Sequence, residues 1–107
     1  MIGRIWHGWT TRENADAYQR YLEGEALPGS ESRAPGYRGV YVLRRDDGDA
    51  VEFVTLTLWD SLDAIETLVG GDRDAAYLPI EERELLDRFD ERVVHYDVVL
   101  QASDAQA

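Results

Sequence analysis

The sequence predicts an α+β domain in which an antiparallel four-stranded sheet, ordered 4-1-3-2, carries two helices on one face. Three observations predict it. Residues 51–59 are rich in β-branched and aromatic types, and Asp60 and Ser61 follow at once, either of them placed to cap a helix that opens on Leu62. The pair Asp47-Gly48 separates this stretch from another apolar one at residues 37–45, which predicts a tight antiparallel hairpin. The succession strand, helix, strand occurs twice, so the element order is βαββαβ.

A chain of 107 residues makes one domain, expected over 1–100, with 101–107 as a disordered tail. Its 11 cationic and 22 anionic side chains give 11 − 22 = −11, a charge that repels phosphates and anionic headgroups. Neither nucleic acid nor a membrane is therefore an expected partner. No cysteine occurs, which excludes disulfides and thiolate metal sites. The first residues lack the basic start and long apolar run of a signal peptide, so the expected location is cytoplasmic.

Taken in order, residues 2–9 form the first strand, with Ile5, His7 and Trp9 on one face and Arg4, Trp6 and Gly8 on the other. Thr10-Thr11-Arg12-Glu13 matches a capping box, Ala15, Tyr18 and Leu22 make the buried stripe of the helix behind it, and Gly24 offers a stop. Residues 24–36, rich in Gly, Pro, Ser and Glu, read as a surface loop. Strands two and three follow. In the third, Thr55, Thr57 and Trp59 face one way and Val54, Leu56 and Leu58 the other, so both faces are expected to be covered. Leu62, Ile65, Leu68 and Val69 line the second helix, which ends at Gly70-Gly71. A helical turn at 72–78, a short solvent-facing helix reaching Phe89 and a last strand at 92–100 complete the chain.

With right-handed crossovers, βαββαβ is the ferredoxin-like arrangement. Tyr37, Tyr41, Phe53 and Trp59 predict an apolar second face on the sheet, and a second copy packed sheet to sheet would cover it, giving a homodimer in the form of a dimeric α/β barrel.

Several phrases together resemble one family. They are Ile5-Trp6-His7-Gly8, the run Pro35-Gly36-Tyr37-Arg38-Gly39-Val40-Tyr41, Trp59 with Ser61, Ala64 and Ile65, Tyr77-Leu78-Pro79, and Val94-His95-Tyr96 with Val98. In order and spacing they are similar to the antibiotic biosynthesis monooxygenase-like proteins of the dimeric α/β-barrel superfamily. That resemblance implies a cavity between sheet and helices and an oxygenase that uses no bound metal, flavin or haem. The substrate, a planar aromatic or polyketide-like molecule, would react with dioxygen through its own carbanion. Trp59 stands where the family has its tryptophan. The matching asparagine is absent, since Asn14 on the first helix is the chain's only one, and the haem-degrading relatives' Asn, Trp and His correspond here to Trp6, Leu68 and Tyr77. The superfamily also holds isomerases, and a non-catalytic dimeric module binding a small ligand or a partner would use the same cavity.

His95 shares a strand face with Asp97, and strand one with His7 is its expected neighbour. A carboxylate beside an imidazole raises its pKa and poises it as a general base, so His95 is the candidate catalytic residue; the plainer reading is a half-buried strand histidine bonded to its neighbours. Trp59, Trp6, Tyr77 and His7 are the candidate substrate-binding residues. The tryptophans offer flat walls or else core and interface, and Tyr77 offers a lid or plain packing. Glu81, Glu82, Glu84, Asp87, Asp90 and Glu91 alternate with Arg83, Arg88 and Arg92 and read as a solvated face, not a metal site. No phosphate-binding glycine loop opens a helix, and no Gly-x-Ser-x-Gly elbow occurs.

Overall fold

The computed structural model describes residues 1–26 and 34–102, with side chains omitted for Glu25 and Ala26. Most of the predicted 24–36 loop and of the predicted tail lies outside the described residues. The chain runs β1 (Ile2–Thr11), α1 (Arg12–Tyr21), β2 (Tyr37–Asp47), β3 (Ala50–Trp59), α2 (Leu62–Val69), α3 (Ile80–Leu85), β4 (Arg88–Phe89) and β5 (Val94–Asp97). The sheet is antiparallel and ordered β2-β3-β1-β4, with β5 also pairing β1. This is the predicted ferredoxin-like 4-1-3-2 arrangement, its last position shared by two short strands.

The β1–β3 ladder runs from Ile2 opposite Trp59 to Thr11 opposite Ala50, which makes β3 a central strand, as its two-sided apolar pattern requires. The hairpin closes with Asp47 opposite Ala50, leaving Gly48-Asp49 as a two-residue loop with Gly48 at φ 65°. The predicted Asp-Gly signal is thus met, with glycine as the first loop residue, the position at which a mirror-image turn needs positive φ.

Four local expectations are corrected. The cap of α1 is Thr11, whose Oγ1 accepts from the Asn14 amide, and the Thr10–Glu13 capping box does not form. The alternation of β1 turns Thr10 into the core instead, where its hydroxyl donates to the Leu85 carbonyl. Gly24 does not stop the helix: a π-helical turn continues over Leu22–Ala26, beginning at the core residue Leu22. Segment 72–78 is not helical, because its backbone groups pair with the chain ahead of β5: Ala76 N–H donates to Glu91 O at 2.9 Å and Val93 N–H to Asp74 O at 2.7 Å. Phe89 belongs to β4, opposite Gly8, and the last strand proper is only Val94–Asp97.

Two cores lie under the helices. The larger joins Trp6, Val51 and Phe53 of the sheet to Ala15, Tyr18 and Leu22, closed by Leu78 and Val93; the smaller joins Ile2, Trp59 and Ile65. Phe53 and Trp59 therefore do not help form the open second face predicted for them, because the odd-numbered residues of β3 all point toward the helices. Tyr37 packs edge-on against Trp59. Tyr41 does lie on the face away from the helices, with Leu43, Val94 and Tyr96; these four are 58%, 53%, 52% and 56% exposed. Gly8 is dictated by its neighbour, since a Cβ there would stand 2.5 Å from Cη2 of Trp6. Among the described residues no helix is long and apolar enough to cross a membrane.

Candidate functional site

A cavity of about 120 Å³ opens on the helix side of the sheet. Its floor is Arg4 and Trp6 of β1 with Thr55 and Thr57 of β3, and Leu22, Leu78, Glu82 and Val93 wall it. Ala76 and Tyr77 stand at its edge, and Tyr77 is 85% exposed.

Arg4 is the one charged residue on the helix-side face of β1, and a set of acceptors fixes it. One guanidinium nitrogen, Nη1, donates to the Arg73 carbonyl at 2.6 Å and meets Nε2 of His95 at 2.9 Å, while Nη2 donates to the Ala75 carbonyl at 3.2 Å. Arginine only donates, so Nε2 of His95 accepts, and the ring proton sits on Nδ1, 3.2 Å from Oδ1 of Asp74. The two carbonyls come from the segment that pairs with residues 91–93, and the same segment is tied down by Arg73 to Glu66 and by Arg92 to Asp72. The non-helical course of this connector is what presents its carbonyls to Arg4.

His95 is therefore wired differently from its sequence reading. The carboxylate at its ring is Asp74, not Asp97. Its pKa is lowered, first by burial and then by the Arg4 guanidinium, against the opposing pull of Asp74. The expected upward shift toward a general base is thus corrected. Strand one is the neighbour of the His95 strand, as expected, but the residue opposite His95 is Arg4, and His7 points to the other face of the sheet. A folded pKa below the unfolded one means that the native state takes up fewer protons in that interval. Stability from this source is present above about pH 6.5 and is lost as pH falls through the folded value. His95→Asn is expected to flatten that part of the stability profile in urea unfolding compared at pH 7.5 and pH 5. An unaltered slope would assign the acid sensitivity to other groups.

Opposite Arg4 in charge, Glu82 is buried at 8% exposure on α3, although the acidic run around it reads as solvated. The hydroxyl of Tyr18, itself fully buried, donates to Glu82 Oε2 at 2.7 Å. Burial, then the charge of Glu82, pushes the Tyr18 phenol far above its ordinary value, so it stays a donor. Sequence reasoning missed both Glu82 and Arg4. The available signals were a charge in the Ile2, Arg4, Trp6 alternation and the Leu78, Glu82, Leu85, Leu86 helical spacing.

Of the candidates named from sequence, Trp6 and Tyr77 line the cavity. The Trp6 indole donates to the Asp90 carbonyl at 2.8 Å. Trp59 lies in the smaller core at 1% exposure, with Nε1 donating to Thr57 Oγ1 at 2.9 Å, so it borders the cavity only through that threonine. His7 sits across the sheet, where Nδ1 is 2.8 Å from Glu52 Oε2 and the ring stacks on Trp9. Hydrogen bonds from His7 and Arg45 hold the Glu52 carboxyl below its ordinary range. Among the described residues no cluster of His, Cys, Asp and Glu suits a metal. The described lining holds no His, Cys or Met, Tyr77 is its one side chain of a type that ligates haem iron, and the space is small for haem beside the roughly 300–1,000 Å³ of a drug-sized site.

No protein-family model and no curated protein matches the sequence. Solved structures do match the fold. One is a protein from Bacillus cereus proposed as an antibiotic biosynthesis monooxygenase, with a TM-score of 0.71 and 15% identity over 99% of this chain and 98% of that one. Another is a point mutant of MhuD with two manganese protoporphyrin IX molecules bound per active site, at TM-score 0.64 and 20% identity over 97% and 100%. A third is the heme-degrader MhuD from Mycobacterium tuberculosis with two hemes in its active site, at 0.59 and 18% over 96% and 100%. The chain shares the ferredoxin-like α+β fold of these structures.

Proposed function

We propose that this protein is a monooxygenase that needs no bound cofactor and acts on a planar, hydroxylated aromatic molecule in the cavity between sheet and helices, working as a homodimer. The observation that carries the reading is Arg4, a cation held by two carbonyls and His95 on the floor of a cavity that also contains the buried carboxylate Glu82. Glu82 takes the proton of a ring hydroxyl. Arg4 stabilises the resulting oxyanion, the kind of group that arginine matches in charge and geometry. Trp6 offers a flat wall, and Tyr77 stands at the mouth. His95, whose Nε2 is committed to Arg4, acts as a positioning residue with Asp74 behind it.

The chemistry balances without an external reductant. The ionised ring gives one electron to dioxygen, and recombination forms a carbon–oxygen bond to a peroxide. Loss of water then breaks the O–O bond and leaves a carbonyl. One oxygen atom enters the product and the other leaves as water, and the substrate's own C–H and O–H supply the electrons. The homodimer reading is supported by the apolar character of the Tyr41, Leu43, Val94 and Tyr96 face, which a second copy would cover.

Oxygen uptake measured with a panel of one- to three-ring hydroxyaromatics, on protein treated with a chelator, tests the reading. At least one compound is expected to consume oxygen and to acquire one atom of ¹⁸O from ¹⁸O₂. Arg4→Met is expected to lower kcat/KM on the order of 10²–10³-fold, the cost of losing one preorganised donor at a developing oxyanion. Uptake no faster than without protein, or undiminished in Arg4→Met, would refute it. A non-catalytic binding module is the second reading, favoured by the engagement of both His95 nitrogens, and ligand binding without oxygen uptake would select it.

A further inference from the structure

We infer that Leu22 sets how many fused rings a ligand of this protein can have, because its side chain partitions what is otherwise one trough across the helix side of the sheet. This deepens the proposed function and rests on the same helix-side site. A second cavity, of about 230 Å³, is lined by Gln19, Leu22, Glu23, Val42, Arg44 and Phe53. Among the described residues, Leu22 alone lines both cavities. The sheet register makes the two neighbours: Val42 of the second stands opposite Thr55 of the first, and Phe53 precedes Thr55 on the same face of β3. Leu22 is 4% exposed and belongs to the core cluster against which Val42 packs.

Size makes the partition consequential. Each cavity alone falls below the roughly 300–1,000 Å³ of a site for a drug-sized ligand, and the two together reach it. A rigid frame of fused rings cannot bend around a buried side chain, so it gains the second cavity only when Leu22 is cut back or turned aside. Trp6 then offers apolar surface to the near ring and Val42 to the far one. At the far end Arg44 Nη1 is committed to Asp16 Oδ1 and Gln19 Oε1, both at 2.8 Å, so this end is a wall closed by polar pairs. The backbone changes at the same residue. Leu22 begins the π-helical turn Leu22–Ala26, a rare geometry that is frequent at functional sites.

Isothermal titration of the full chain with phenol, 1-naphthol and 9-phenanthrol tests the partition without relying on turnover. Truncating a buried leucine leaves a void that its surroundings only partly refill, so Leu22→Ala joins the two cavities. It is expected to raise the affinity for 9-phenanthrol relative to phenol at least about tenfold, the return on burying further aromatic surface. Leu22→Val, a milder truncation that protects the test against a failure to fold, is expected to move the ratio the same way by less. Adding Val42→Phe to Leu22→Ala refills the second cavity and should return the ratio to its native value, which a general loosening of the core would not do. A ratio unmoved by both truncations, or one that stays high when Val42→Phe is added, would overturn the inference. If the ratio moves as stated but no compound consumes oxygen, the oxygenase reading fails and the partition stands. If oxygen is consumed while the truncations leave the ratio unmoved, the reverse holds.

Discussion

Phe53→Ala is expected to lower the free energy of unfolding by about 3–5 kcal/mol, the usual cost of emptying a buried phenylalanine site. Phe53 is fully buried in the centre of β3 and meets Tyr18 edge-on with ring centroids 4.9 Å apart. The Arg44 guanidinium lies 5.6 Å from its ring centre. Removing the ring opens a void between sheet and α1 that neither strand nor helix can close without breaking the ladder. A domain of this size commonly has about 5–15 kcal/mol in total, so the loss takes from about a fifth of its stability to nearly all of it. Because Tyr18 also holds Glu82, the void should loosen the cavity wall as well. Urea unfolding followed by circular dichroism measures the loss; a change under about 1 kcal/mol would mean that Phe53 is not the packing centre.

Leu43→Asp is expected to convert the proposed dimer to monomer, weakening association on the order of 100-fold or more, because a charge would be buried in the middle of an apolar contact. Leu43 is half-exposed in the single chain and stands opposite Val54 in the ladder, next to Tyr41 opposite Leu56. A row of this kind on one sheet face is costly to leave in water. Leu43 points away from the helices, so the fold and the cavity should survive the change. Sedimentation equilibrium over a concentration series distinguishes the outcomes, and a native chain that is monomeric at every concentration would refute the sheet-to-sheet dimer.

Strand order and helix faces were legible in the sequence because they depend on local periodicity: the 51–59 strand, the Asp-Gly turn, and the Ala15, Tyr18, Leu22 stripe each carry their own signal. The chemistry of the cavity was less so, because it depends on pairings far apart in the chain. Asp74 reaches His95 only because segment 72–76 pairs with residues 91–93, and nothing local announces that pairing. Asp97, two residues along the same strand, was the visible carboxylate and is not the one the ring meets. Glu82 was hidden by composition: Glu81 and Glu84 on the same short helix are exposed, and only the phase relative to Leu78 and Leu85 separates the buried acid from them. Trp59 shows the converse. Its size and position suggested a substrate wall, whereas its register opposite Ile2 and Tyr37 places it in the smaller core.

The three tryptophans report three separate places: Trp6 at the cavity floor, Trp59 in the smaller core, and Trp9 on the opposite face between His7 and Arg88. The most direct test of where this protein works is therefore the ¹H–¹⁵N spectrum of the indole groups during titration with each hydroxyaromatic of the panel. A ligand in the helix-side cavity is expected to shift the Trp6 indole resonance strongly while leaving Trp9 in place. A shift confined to Trp9, or to Trp59 without Trp6, would contradict the assignment of the cavity as the functional site.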